Sequence, residues 1–296
     1  MRAWINAARP RTLPLAIAGV LLGAVPPGHS NFNGGLAFVM CLLTAGLLQI
    51  LSNFANDWGD TQNGADANRK VGPTRAVQSG RISSAAMKSA ITFTGILAFI
   101  SGFFLLYYTL WWHGWKISFF SFLLIGLAGI AAAYFYTAGA RPYGYQGLGD
   151  IAVFLFFGLV SVMGTHFLLY LHLDKSVVYL AVMQGLLSMM VLHLNNMRDF
   201  DDDAQSRKYT MAIKLGKKGS QWYYNIAIFL SQILLVLWLM DRNDAFSWLS
   251  VIPSLLLVPS LMKVNKDIVW LNLDNELKKV ALASFFVSLL LFLGTI

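Results

Sequence analysis

Leu47-Leu48-Gln49-Ile50-Leu51-Ser52-Asn53-Phe54-Ala55-Asn56-Asp57-Trp58-Gly59-Asp60 is an apolar run, reaching back to about residue 35, that ends in carboxylates. Its length matches the hydrocarbon core of a bilayer, about 30 Å thick. A second run, near 176–196, closes in the same way on Asn195-Asn196-Met197-Arg198-Asp199-Phe200-Asp201-Asp202-Asp203. Carboxylates beside hydrocarbon are costly unless paired or metal-bound, which makes each of these ends a site of function by default.

Outward from these two segments the chain keeps the same character. Of its 296 residues 57% are hydrophobic and 12% are charged, against roughly 25% charged in an average soluble domain. Apolar runs near 12–28, 35–55, 88–112, 117–138, 151–173, 176–196, 221–240, 245–262 and 279–295 predict an all-α polytopic membrane protein. The expected architecture is nine transmembrane helices around a central cavity open to the cytoplasmic face, in a single integral-membrane domain over 1–296. The first run is the shortest. No small-x-small cleavage site follows it, so it reads as a span and not as a signal sequence.

Cytoplasmic loops collect Lys and Arg. With the N terminus cytoplasmic and the C terminus outside, all of the 22 basic residues except Lys116, Lys175 and Arg242 fall on the inner side. The net charge of +8 is then a topology signal and gives no reason to invoke nucleic acid. A single Cys41 excludes intramolecular disulfides and cysteine metal clusters. Nothing in the pattern sets the oligomeric state.

Continued as a helix, the first run puts Asn53, Asp57, Asp60 and Gly64 on one face, and Asn196, Asp199 and Asp203 repeat that spacing after the second. Such oxygen-only donor sets suit Mg²⁺. Neither motif contains His or Cys, which argues against zinc. The matched Asn-x3-Asp patterns suggest that spans two and six face each other across one cavity. Basic residues accompany both clusters: Arg69, Lys70, Arg75 and Arg81 follow the first, and Arg198, Arg207 and Lys208 belong to the second. Carboxylates that hold Mg²⁺ beside Lys and Arg that hold phosphate oxygens form a diphosphate clamp. At the edge of a membrane the matching ligand is a lipid such as a prenyl diphosphate.

A third polar island, Tyr134 to Asp150, contains Tyr136, Arg141, Tyr143 and Tyr145. Aromatic faces stabilise a carbocation, and a lone Arg pairs with phosphate or carboxylate. A fourth, Arg9-Pro10-Arg11-Thr12, either binds an acidic substrate or only fixes topology. Plainer readings stand beside these. The bases follow from topology, the tyrosines from an interfacial aromatic belt, and the 263–279 stretch from a solvated amphipathic loop. His166, His172 and His193, with no paired acid in sight, read as polar packing.

These motifs together resemble the UbiA superfamily of intramembrane aromatic prenyltransferases, and within it the 1,4-dihydroxy-2-naphthoate polyprenyltransferase branch of menaquinone biosynthesis. The resemblance is carried by Arg9-Pro10-x-Thr12, Asn56-Asp57-x2-Asp60 with Gly64-x-Asp66, Pro73-x-Arg75-x2-Gln78-Ser79-Gly80, Arg141-Pro142-Tyr143-Gly-Tyr145 and Asn195-Asn196-x-Arg198-Asp199-x3-Asp203, and spans nearly the whole chain. It implies transfer of a polyprenyl group from polyprenyl diphosphate to 1,4-dihydroxy-2-naphthoate in the bacterial plasma membrane, with release of diphosphate and CO₂. Mg²⁺ is then held by Asp57, Asp60, Asp199 and Asp203. Asp66 takes the place of the acid the superfamily often carries at the position of Gly64. Lys70, Arg75, Arg141 and Lys208 complete the clamp, and Asn53, Tyr136, Tyr143, Asn196, Arg198 and Arg9 contact substrate. The competing expectations are a sibling enzyme acting on 4-hydroxybenzoate, haem or a chlorophyll precursor, a divalent-cation transporter, and a non-catalytic lipid-binding scaffold.

Overall fold

A computed structural model describes residues 1–28, 32, 34–64, 75–242, 244–266, 270 and 273–295. Among these every regular element is helical. The principal helices are α1 (Arg2–Ala8), α2 (Leu13–Gly23), α3 (Gly35–Gln62), α4 (Ser84–Trp111), α5 (Lys116–Phe135), α6 (Gly149–Tyr170), α7 (Val177–Arg198), α8 (Phe200–Gln205), α9 (Met211–Asp241), α10 (Ser247–Lys266) and α11 (Asp274–Leu293).

Among the described residues a helix overlaps each of the nine apolar runs. Among the described residues seven, α3 to α7 with α9 and α10, are long and apolar enough to cross a membrane. The other two depart for separate reasons. Helix α11 opens with Asp274, Glu276, Lys278 and Lys279, which dilute its apolar run. Helix α2 has 11 residues, which at a rise of 1.5 Å each gives roughly 16 Å, about half the hydrocarbon thickness.

The end of α2 and the residues after it leave backbone carbonyls in need of partners. Neighbouring side chains meet them. The His166 Nδ1 lies 3.1 Å from the Gly23 carbonyl, and the Tyr170 hydroxyl donates to that of Ala24 at 2.6 Å. The Arg242 guanidinium donates to the carbonyls of Pro26, at 2.6 Å, and Gly28. These contacts give His166 a definite task, and they explain a cation on the side where charge patterning expects few.

Helix α7 is the axis of the bundle. Its apolar window is 78% buried, against 6% for α5, so α5 faces lipid and α7 faces protein. Sequence accounts for the difference. Helix α7 carries Gln184 and Ser188, whose side chains are met internally: Gln184 donates to the Leu15 carbonyl at 3.2 Å and accepts from Ser284 at 2.7 Å. The outward faces of α4, α5 and α9 instead present Phe93, Leu124 and Phe229, an apolar surface that only a bilayer covers without cost.

Contacts sort the loops into two ends. Asn53 donates to the Ala8 carbonyl, Asn63 to that of Thr137, the Tyr209 amide to that of Tyr145, and Arg198 pairs with Asp274. The start of the chain, both acidic motifs, the 136–150 loop and the start of α11 therefore meet at one end. Residues 24–28, Tyr170 and Arg242 meet at the other, where Gly294 also packs against Ser247.

Candidate active site

Helix α3 runs through its acids before it stops, so Asn53, Asn56, Asp57 and Asp60 project from rigid backbone, and all four are buried. Gly64 is off this face: the helix ends at Gln62, and Gly64 takes φ +72, a left-handed turn that glycine tolerates. Asn63 closes the end by donating to the Gly59 and Thr137 carbonyls. Gly59 permits this approach, since a Cβ there would come within 2.7 Å of the Thr137 carbonyl.

Each acid of this motif has its own partner. The Asp57 carboxylate accepts the amides of Ala76 and Val77, both at 3.0 Å, and so fixes the segment that carries Arg75. Asp60 accepts the Arg75 guanidinium at 2.9 Å on Oδ2 and the Tyr145 hydroxyl at 2.9 Å on Oδ1. Asn53 and Gln49 hold the Thr12 hydroxyl at 3.1 and 2.9 Å, while Arg9 donates to Asn56 at 2.5 Å. The Arg9-to-Thr12 segment is thereby pinned to α3.

The second motif departs from a single helical stripe. Helix α7 ends at Arg198, Asp199 caps it, and Asp203 rides on α8. The amide of Asp203 still donates to the Asp199 carbonyl at 2.8 Å. Arg198 grips Asp199 with two bonds of 2.7 and 2.8 Å, and its remaining nitrogen reaches Asp274 at 2.6 Å. Asn196 turns towards Asp150, at 3.5 Å.

Lys208 joins the two motifs. Its ammonium, on a side chain only 7% exposed, lies 3.7 Å from Asp60 and 3.6 Å from Asp203, and 5.4 Å from the centre of the Tyr145 ring. Carboxylates far apart in sequence thus already share one cation. Among the described residues no three His, Cys, Asp or Glu side chains gather as a formed metal site. The Asp60 and Asp203 oxygens nevertheless fit a hard divalent ion in donor chemistry, and they converge on a position that tolerates positive charge.

Arg75 and Lys208, but none of Asp57, Asp60, Asp199 and Asp203, border a cavity of about 370 Å³. Helix α3 lines it through Asn53 and Asn56 and α7 through Asn195, and Arg9, Arg75, Lys208, Tyr136 and Tyr143 supply further polar lining. Apolar residues such as Leu15, Leu105 and Phe157 line much of the remaining wall. Burial, followed by the nearby Asp60 and Asp150 charges, holds the Tyr136 hydroxyl well above its ordinary pKa; burial alone pushes Tyr143 up to about 12. Both rings therefore remain neutral at physiological pH. Tyr136 is packed tightly, because a Cβ on Gly144 would come within 2.7 Å of its ring.

Arg141 stands apart: it is exposed on its loop and is not part of the cavity wall. Asp66 and Lys70 lie outside the described residues. The structure also adds partners that the linear motifs did not reveal. Tyr145 contacts Asp60, and Asp274 contacts Arg198, although the 263–279 stretch reads as a solvated loop. His193 has a paired acid after all: its Nδ1 lies 3.1 Å from Asp150, with both side chains at most 1% exposed. The only linear clue to that pair was the presence of each group beside a motif.

The sequence profile described as the UbiA prenyltransferase family matches residues 12–290. The chain belongs to the UbiA prenyltransferase family. Among curated proteins, the UbiA chain is 38% identical to the 1,4-dihydroxy-2-naphthoate octaprenyltransferase of Haemophilus influenzae, over 98% of this chain and 93% of that protein. It is 36% identical to the Escherichia coli protein of the same name, over 99% and 94%. Its fold is that of solved UbiA homologues. A homologue from Archaeoglobus fulgidus bound to GPP and Mg²⁺ superposes with a TM-score of 0.68 at 13% identity, over 99% of this chain and 98% of that one. The apo homologue from Aeropyrum pernix gives 0.66 at 16%, over 98% and 96%.

Proposed function

We propose that this UbiA-family protein transfers a polyprenyl group from polyprenyl diphosphate to 1,4-dihydroxy-2-naphthoate in the bacterial plasma membrane, releasing diphosphate and CO₂. The observation that carries the reading is the convergence of Asp60 and Asp203 on Lys208, with Arg75 on the same carboxylate as Lys208. Names of full-length relatives at 36 and 38% identity support the choice of acceptor.

Asp57, Asp60, Asp199 and Asp203 are the residues assigned to Mg²⁺, with Asp66 added on family resemblance. When bound, that ion supplies charge neutralisation for the departing diphosphate. Arg75 and Lys208 then exchange their carboxylate partners for phosphate oxygens; both are buried, so each contact acts with little screening. Lys70 joins them on resemblance alone. Asp57 keeps Arg75 in position through the amides of Ala76 and Val77. As the allylic C–O bond ionises, the neutral faces of Tyr136 and Tyr143 border the cation, and the apolar wall keeps water away. Ring attack by the naphthoate forms the new C–C bond, after which the substituted carbon loses CO₂.

The test is turnover by the purified chain in lipid nanodiscs, with polyprenyl diphosphate, Mg²⁺ and an equimolar mixture of 1,4-dihydroxy-2-naphthoate and 4-hydroxybenzoate. Prenylated naphthoate is the expected product, and Asp60→Asn or Asp203→Asn should reduce it at least a thousandfold while membrane insertion persists. Transfer to 4-hydroxybenzoate alone would overturn the acceptor. Near-normal turnover in either variant at saturating Mg²⁺ would overturn the mechanism.

A further inference from the structure

A second basic group lines the cavity on elements that carry none of the diphosphate clamp. Arg11 belongs to the short turn before α2, and Lys278 to the opening of α11; both contribute to the cavity wall. Arg11 lies in the turn that leads into α2, and Lys278 sits one turn into α11, four residues after Asp274. Pairing does not explain Lys278. Its neighbour Lys279 is held by Glu276 at 2.9 Å, whereas Lys278 enters no ion pair among the described residues. The acid beside this group, Asp274, is shared between Arg198 at 2.6 Å and Arg11 at 3.9 Å. Arg198 in turn is matched by Asp199, at 2.7 Å. Lys278 is therefore a cation of the wall that no described acid holds in an ion pair.

Helices α2 and α11 pack side by side, which brings Arg11 and Lys278 to the same end of the bundle. The chemistry they offer is a partly hydrated, two-cation grip on a small anion: the Arg11 side chain is 37% exposed and Lys278 is exposed. A diphosphate already has buried Arg75 and Lys208. The acceptor brings the other anion of the reaction, its ring carboxylate. We infer that Arg11 and Lys278 bind the carboxylate of the aromatic acid and so select an acidic acceptor over a neutral one. The inference rests on the naphthoate transfer proposed above.

The experiment uses the full chain in nanodiscs, with KM measured for each substrate at saturation of the other, in wild type, Arg11→Gln, Lys278→Gln and Lys278→Arg. Each Gln variant should raise KM for 1,4-dihydroxy-2-naphthoate about tenfold, the size of one partly exposed charge-assisted hydrogen bond. KM for polyprenyl diphosphate should stay within twofold, and Lys278→Arg should restore the naphthoate value. As a specificity control, 1,4-dihydroxynaphthalene, which lacks the carboxylate, is used as a competitor; its inhibition constant should not change in the Gln variants. An unchanged naphthoate KM, a rise confined to polyprenyl diphosphate, or equal weakening of the neutral competitor would overturn the subsite while leaving the reaction in place. Absence of naphthoate turnover in wild type would instead overturn the reaction itself, and the subsite with it.

Discussion

Replacing Lys208 by Met tests how one cation serves two carboxylates. At 3.7 and 3.6 Å from Asp60 and Asp203, each attraction amounts to about 4.5 kcal/mol at an effective dielectric of ~20, before desolvation is charged against it. Removing one member of such a buried group costs about 3 to 5 kcal/mol, chiefly because the remaining charges lose their compensation. Arg75 still holds Asp60 at 2.9 Å, which puts Lys208→Met at the low end, about 3 kcal/mol, or an unfolding midpoint lower by roughly 6 °C in EDTA. Mg²⁺ should then stabilise the variant more than the wild type, since the ion no longer competes with an ammonium. A tenfold tighter ion adds about 1.4 kcal/mol at saturation, and the same substitution should raise KM for polyprenyl diphosphate at least tenfold. Thermal unfolding in detergent, with EDTA and with a Mg²⁺ series, measures both effects. Equal Mg²⁺ shifts in the two proteins would refute the reasoning.

Three further outcomes follow from particular contacts. Arg75→Ala should raise KM for polyprenyl diphosphate at least tenfold, whereas Arg141→Ala, at an exposed position off the cavity wall, should stay within threefold of wild type in steady-state kinetics. Asp150→Ala removes the acceptor 3.1 Å from His193 and the contact to Asn196; it should cost about 2 kcal/mol in thermal unfolding, as a buried donor loses its partner. For Tyr143 the native pKa of about 12 stands above its ordinary value of 10. The native state then keeps a proton that the unfolded chain releases, so this contribution is complete below pH 10 and declines as pH rises towards 12. Tyr143→Phe should flatten that alkaline fall in a pH series of unfolding midpoints.

The all-helical membrane architecture was legible because hydrocarbon imposes long apolar runs, and the α3 motif was legible because its acids continue the register of a span. Local chain geometry set the limits. Gly64 fell off the predicted face where α3 turns left-handed, and Asp199 caps α7 instead of extending it. Other partners depend on tertiary packing that no short window contains. Tyr145 reaches Asp60 across 85 positions, and Arg198 reaches Asp274 across 76. Asp150 and His193 lie 43 apart and meet only because α6 packs on α7. The 263–279 stretch reads as a solvated loop because its own acids and bases nearly balance. That local balance hid the pairing of Asp274 with a buried arginine.

The central claim is that two acidic motifs form one cation site that closes on a diphosphate. Anomalous diffraction from crystals grown with Mn²⁺ in place of Mg²⁺ and a non-ionisable prenyl diphosphate analogue tests it most directly. The account predicts metal density bounded by both Asp60 and Asp203, with Arg75 and Lys208 on phosphate oxygens. Metal confined to one motif, with Lys208 still between the two carboxylates, would contradict it.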